Sequence, residues 1–266
     1  MDVNKKKEKI ICEFKNFLKW ETLSYTNWEK VDFFIAKTLS DAWIMARPQD
    51  ENKFKNPDFK RMVNSANGKW LEKTDEGDSY KIILSTQHGS TTKKLTKLFV
   101  HEMRHCLDYQ NAVAELSFEE YKPGNEYYQN WSEFRAVYAH IRYEYYSRHI
   151  KNTKKIDVFH SLSEILGKSV ADCVAGLMRS QNNSHDLMHY ISRYIGASRA
   201  IRNLNIQENL NEPSFQLWNL MPQYIYENMG NVFYIGNEWD NMEICRLNEI
   251  PKTYYYNELT GKEIIL

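Results

Sequence analysis

The stretch KKLTKLFVHEMRHCLDYQNAV, residues 93–113, carries the most specific pattern in this 266-residue chain. Its apolar residues recur three and four positions apart, which predicts a helix that Thr91 or Thr92 would cap. Near the middle of this helix stand His101 and His105. Residues four apart lie one turn above each other, so both imidazoles face the same side of the helix.

Two imidazoles on one helix face can bind a single Zn²⁺ ion. Glu102 follows the first histidine, which places its carboxylate beside such a metal without making it a ligand. There Glu102 could accept a proton from a zinc-bound water, the general-base role in metal-assisted hydrolysis. The pentapeptide HEMRH therefore predicts a catalytic zinc site with His101 and His105 as ligands.

A catalytic zinc site normally has three protein ligands and one open position, so a third ligand is expected. The best candidate is Glu133, on a helix predicted over residues 128–148. The break at Pro123-Gly124 allows the chain to turn back before this helix. Weaker alternatives are Glu126 and His140.

HEMRHCLD followed by EFRAVYAH resembles the gluzincin zinc peptidases, in which a Glu on a following helix completes HExxH. The motifs are most similar to the anthrax lethal-factor type of catalytic domain, with HExGHxxD and EFFA, and to repressor-cleaving peptidases of the ImmA kind. The resemblance covers about residues 70–148, and Arg104 stands where these families often have glycine. It implies a zincin-like core with His101, His105 and Glu133 as zinc ligands.

The same resemblance suggests roles for residues around the metal. Glu102 would be the general base, and Asp108 would accept a hydrogen bond from a ligand imidazole. Tyr127 or Tyr128 would stabilise the oxyanion. The strand at 80–85 would form the edge of the cleft and pair with an extended peptide substrate. The alternatives are a solvated carboxylate for Asp108 and structural aromatic residues for the two tyrosines.

The rest of the chain predicts an α+β fold that is predominantly helical. A hairpin is expected from the runs 69–74 and 80–85, joined by a turn at 75–78. Helices are predicted over about 5–20, 28–45 (ended by Pro48), 161–180, 185–203 and 213–228, followed by short β-like pieces at 232–235 and 253–266. These patterns divide the chain into a zincin-like catalytic region, 1–155, and a mostly helical C-terminal lobe, 156–266.

Composition excludes several classes of protein. Ten Gly and six Pro are too few for a collagenous or low-complexity chain. The 35 basic and 35 acidic residues balance, which argues against a dedicated nucleic-acid binder. No apolar run is long enough to span a membrane. Four scattered cysteines without a CxxC pair read as reduced thiols, so we expect a cytoplasmic protein or one exported without a cleaved signal peptide.

A second histidine pair, His185 and His189, also has the four-residue spacing. It could form another metal site or supply a donor to the cleft. The alternative, which we favour, is an ordinary helix N-terminus capped by Ser184.

The function predicted from these observations is a zinc metalloendopeptidase in which Glu102 activates a zinc-bound water to attack a peptide bond. Its partner would be a protein or peptide substrate, in the setting of an effector or toxin, or of a phage or bacterial regulator. The alternative is a non-catalytic helical interaction or regulatory protein whose HEMRH is structural or inactive. For zinc binding by HEMRH and Glu133, the alternative is a surface helix that carries these charges by chance. The sequence identifies neither the substrate nor the oligomeric state.

Overall fold

The computed structural model describes residues 3–74, 78–87, 91–116 and 126–151, together with scattered positions from 162 to 207. The side chains of 111–116, 126–128, 130 and 131 lie outside the described set. The chain divides into two compact units, Met1–Ser117 and Phe118–Leu266. The described residues are mostly helical with one small sheet, which is an α+β composition. The domain boundary near residue 155 stays a prediction.

The first unit contains four helices and three strands among its described residues. In chain order they are α1 (Val3–Leu18), β1 (Val31–Ala36), α2 (Leu39–Ala46), α3 (Pro57–Asn64), β2 (Gly68–Leu71), β3 (Tyr80–Ser85) and α4 (Thr92–Leu116). Short 3₁₀ segments precede β1 and α3, at Trp28–Lys30 and Pro48–Lys55. The predicted first helix, the hairpin of β2 and β3, and the HEMRH helix are therefore present.

The helix predicted over 28–45 is wrong in its first half. Residues Val31–Ala36 form β1 instead, and the helix begins only at Leu39. Val31, Phe33 and Ile35 are buried while Asp32 between them is exposed, which is the two-residue alternation of a strand. β-branched and aromatic side chains favour a strand. The helix was predicted because the spacing of apolar residues in so short a run fits a helix as well as a strand.

The sheet has the order β1-β3-β2, so β3 is its central strand. β1 pairs with β3 in parallel, from Val31 opposite Tyr80 to Ala36 opposite Ser85. β2 pairs with β3 antiparallel, with Gly68 opposite Leu84. The prediction that the strand at 80–85 is an edge that takes up a substrate is wrong, because both of its sides are already hydrogen-bonded to neighbouring strands.

Helices cover both faces of the sheet. On one face, Ile83 belongs to an apolar cluster with α2, made of Ala36, Leu39, Ala42, Ala46, Phe54, Val63 and Leu71. On the other face, the ring of Phe99 on α4 lies 4.7 Å from that of Phe33 and 5.1 Å from that of Phe14 on α1. The sheet thus holds α4, the helix that carries HEMRH, in a fixed position.

The second unit begins, among its described residues, with α5 (Glu126–Tyr145), which continues into one π-helical turn at Tyr146–Ile150. This confirms the helix predicted over 128–148. Every described position from 162 to 207 is helical. The predicted helix at 213–228 and the β-like tail lie outside the described residues. Within the described part of the chain, no helix has the length and apolar character needed to cross a membrane.

Candidate metal centre

Helix α4 is anchored at its N-terminal end, before the turns that carry the HEMRH residues. Its N-terminus is capped by Thr91, whose Oγ1 accepts a hydrogen bond from the Lys94 N–H at 3.3 Å. One turn before His101, Leu98 lies against β2, where a Cβ atom added to Gly68 would stand only 2.9 Å from the Leu98 Cγ. A side chain at position 68 would force the Leu84 and Leu98 side chains to shift, so Gly68 allows α4 to lie close to the sheet.

The HEMRH segment is buried on nearly every side. His101, Glu102 and Arg104 are each less than a tenth exposed, Met103 is fully buried, and only His105 is partly accessible. A surface helix that carries these residues by chance would expose their polar groups to water. The surface position assumed in that alternative is therefore wrong. Buried polar and charged groups instead require partners, because their desolvation costs free energy.

The two histidines meet at their Nε2 atoms, which lie 3.1 Å apart. Their rings are 4.6 Å apart at their centroids and almost perpendicular, at 83°. Two nitrogens that bind one tetrahedral Zn²⁺ at about 2.0–2.1 Å lie ~3.3–3.4 Å from each other. The observed separation is close to this value, so the two imidazoles are arranged as a pair of ligands.

Glu133 lies about two turns into α5. Its side chain is also buried, with 8% of it exposed. Its Oε1 accepts a hydrogen bond from Nη1 of Arg193 at 2.6 Å. This is a charge-assisted bond between two oppositely charged side chains, the strong type of protein hydrogen bond. The pair joins residues that are 60 positions apart in the sequence.

His101, His105 and Glu133 form a group that could bind a metal ion. Each offers one ligand atom, and these atoms all lie within 4.8 Å of one another. Two imidazole nitrogens and one carboxylate oxygen are ligands that suit Zn²⁺ well. These are the three residues that the sequence predicted as metal ligands.

Asp108 forms an ion pair with Arg104, and its predicted bond to a ligand imidazole stays a prediction. Its Oδ1 accepts two hydrogen bonds from Arg104, one from Nε at 2.7 Å and one from Nη2. Arg104 also donates from Nη1 to the carbonyl of Ser24 at 2.9 Å, and its guanidinium lies over the ring of Tyr25. Because Asp108 is only 2% exposed, its interpretation as a solvated surface carboxylate is wrong.

Two further ionisable groups on α4 stay neutral near the histidines. Burial raises the pKa of the Cys106 thiol to about 12. Burial and the carboxylate of Glu72 likewise raise the pKa of Tyr109 to about 12. The Tyr109 hydroxyl donates to Oε2 of Glu72 at 3.1 Å.

Several predicted residues lie outside the described side chains. Tyr127 and Tyr128 belong to α5 by their backbone, but their side chains are not described, and the same holds for Glu126. Their roles stay predictions. His189 is helical and packs against Tyr190, with ring centroids 5.5 Å apart, whereas its partner His185 lies outside the described residues.

Arg193, which binds Glu133, carries no signal in the sequence that links it to this site. No local spacing links it to Glu133, so only the folded chain reveals the pair. The Arg104–Asp108 pair could have been found, because the two residues are four apart on one helix.

No protein-family model, curated protein or solved structure matches this chain.

Proposed function

We propose that the protein is a zinc-dependent metallopeptidase that hydrolyses peptide bonds of a protein or peptide substrate. The observation that supports this most is the buried group of His101, His105 and Glu133, with its ligand atoms within 4.8 Å of one another. Two imidazoles and one carboxylate form a ligand set that leaves one position of a tetrahedral zinc open. Zn²⁺ bound there would lower the pKa of a coordinated water and polarise the scissile carbonyl.

Glu102 is the residue that we assign to proton transfer. Its carboxylate takes a proton from the attacking water and delivers it to the amide nitrogen that departs. Glu102 directly follows His101 on α4 and is buried, which removes competing bulk water from around the carboxylate. A metal site that served only to stabilise the fold would gain nothing from an acid at this position.

The proposal extends to the architecture around the site. The three-stranded sheet, α4 and α5 would form a zincin-like core, and the chain from about residue 156 would form a helical lobe. Tyr127 or Tyr128 would supply the oxyanion donor. We propose the cytoplasm or the outside of the cell as the compartment, and an effector or regulator as the biological setting.

Zinc content tests the proposal most directly. We expect the wild-type protein to purify with about one zinc per chain, and His101→Ala to lose most of it, because two ligands do not hold zinc as three do. Zinc is measured by plasma mass spectrometry on the full chain. His140→Ala on α5 is the matched control and should retain the metal. Equal and negligible zinc in wild type and His101→Ala would refute the proposed function.

The third ligand has its own test. Glu133→Ala should weaken zinc binding at least ~10²-fold in a chelator competition, since even residues outside the first ligand shell cost about 10–100-fold when removed. Glu126→Ala removes a carboxylate seven residues earlier on the same helix and should leave zinc affinity nearly unchanged. The reverse pattern would show that Glu126, and not Glu133, completes the site.

A further inference from the structure

The second unit packs a helical segment tightly against α5 next to Glu133. We call this the Arg193 segment, meaning the described positions between 189 and 207, all of which are helical. A Cβ atom added to Gly196 would lie 2.3 Å from the carbonyl oxygen of Phe134 and 3.2 Å from the Cβ of Val137. Only a glycine tolerates that distance to a neighbouring backbone. The two helices therefore touch at the residue that follows Glu133.

Contacts further along fix the rotation of the Arg193 segment. Asn203 lies seven residues after Gly196, and its Nδ2 donates a hydrogen bond to the Tyr138 hydroxyl at 2.9 Å. Ala197, Ala200 and Leu204 are fully buried or nearly so. These positions recur at three- and four-residue intervals, the spacing of one helix face. The face that contains Gly196 is thereby held in place over about two turns.

Arg193 and Gly196 are both helical and three residues apart, the spacing of residues that lie close to the same helix face. From there its Nη1 reaches Oε1 of Glu133 at 2.6 Å. A third of the Arg193 side chain is exposed, whereas the Glu133 side chain is 8% exposed. The backbone contact at Gly196 thus brings a long, partly accessible cation to a buried carboxylate.

We infer that Arg193 is the positioning residue of the metal centre, holding Oε1 of Glu133 so that the carboxylate binds metal through Oε2 alone. This inference rests on the proposed function. A carboxylate that bound zinc through both oxygens would fill the position that a catalytic site keeps open for water or substrate. A guanidinium bound to one oxygen disfavours this, because a strong, directed hydrogen bond already takes up one lone pair of that oxygen and holds it away from the metal.

The charge of Arg193 has a second effect. A carboxylate shared between a guanidinium and a metal gives less electron density to the metal than one that binds the metal alone. The metal consequently stays a stronger Lewis acid, which is the property that hydrolysis requires. Residues that bind a metal ligand orient that ligand and tune the metal in this way.

Cobalt substitution tests the inference without reference to catalysis. Co²⁺ in place of zinc absorbs visible light strongly when it has four ligands and weakly when it has five, so the spectrum reports the coordination number. We expect wild-type protein to give the strong spectrum. Arg193→Ala should lose at least about half of that intensity and should bind zinc at least ~10-fold more weakly by chelator competition.

Two further variants make the result specific. Arg193→Lys keeps the positive charge but lacks the planar fork, so its spectrum and zinc affinity should fall between those of wild type and Arg193→Ala. It also decides the question if the alanine variant does not fold. Arg148→Ala is the matched control: it removes the ion pairs of Arg148 with Glu144 on α5 and with Glu164, far from Glu133 along the helix. Its spectrum should be that of wild type.

The outcomes separate this inference from the proposed function. Wild-type protein that takes up neither zinc nor cobalt would refute both. Four-coordinate cobalt in wild type with unchanged spectra in Arg193→Ala and Arg193→Lys would overturn only the role of Arg193. An equal loss of intensity in Arg148→Ala would show that any ion pair on α5 has this effect, and would also overturn it.

Discussion

Glu102→Gln is expected to reduce peptide-bond cleavage by at least ~10²-fold while the protein keeps its zinc. Glutamine has the size of glutamate and can donate and accept hydrogen bonds, but it cannot take a proton from water at neutral pH. His101 and His105 stay in place on α4, so metal binding should be unaffected. The substitution therefore removes the base and leaves the rest of the centre intact.

Because no substrate is identified, the measurement compares whole proteomes. Wild type and Glu102→Gln are incubated with the same protein mixture, and new protein N-termini are quantified by mass spectrometry. Termini that appear only with wild type define the substrates and the cleavage sites. A zinc determination on both proteins is the control. If the variant cleaved a confirmed substrate at close to the wild-type rate, Glu102 would not be the base.

Asp108→Ala is expected to destabilise the protein by ~3–5 kcal/mol, the usual cost of breaking a buried ion pair by removing one partner. Arg104 and Asp108 are both almost completely buried, with side chains 4% and 1% exposed. Removing the carboxylate leaves the Arg104 guanidinium as an uncompensated charge inside the fold. Urea unfolding followed by circular dichroism measures the change in the free energy of unfolding.

The chain contains a matched control for this experiment. Arg61 and Asp58 on α3 also form an ion pair within one helix, but their side chains are 83% and 80% exposed. Asp58→Ala should change the stability by less than ~1 kcal/mol, because water already screens that pair. An Asp108→Ala effect as small as that of Asp58→Ala would show that the buried pair contributes little to the stability of the fold.

The helices that position the site could be predicted from the sequence because their signals are local. The apolar periodicity of α4 and α5 follows directly from residues three and four apart, and Thr91 was one of the two predicted caps. The spacing of His101 and His105 likewise determines their side-by-side position on one helix face. Such features depend on a few neighbouring residues, and a single sequence displays them.

The sheet was harder to predict because its pairing is not local. β1 and β3 are parallel strands separated by more than forty residues, and no turn signal connects them. The run Ile82-Ile83-Leu84 did contain a hint, since a continuous apolar run is typical of a strand that is buried on both faces. An edge strand alternates instead, as Val31–Ala36 does around Asp32.

The candidate site also contains residues that the sequence predicts and residues that only the fold reveals. Glu133 could be proposed only because a zinc site needs a third ligand, while Arg193 belongs to no motif and lies 60 residues further along. Its pairing depends on how closely the helix that contains Gly196 can approach α5. Backbone contacts of this kind depend on the fold as a whole, and a spacing rule does not contain them.

The strand directions have a consequence for the orientation of a bound peptide. β1 runs parallel to the central strand and β2 runs against it, and these two strands are the edges of the described sheet. A peptide that pairs antiparallel with β1 would run opposite to β3, whereas one that pairs antiparallel with β2 would run in the same direction as β3. If the substrate pairs antiparallel with its edge strand, its amino-to-carboxyl polarity along the sheet would therefore reveal which edge receives it.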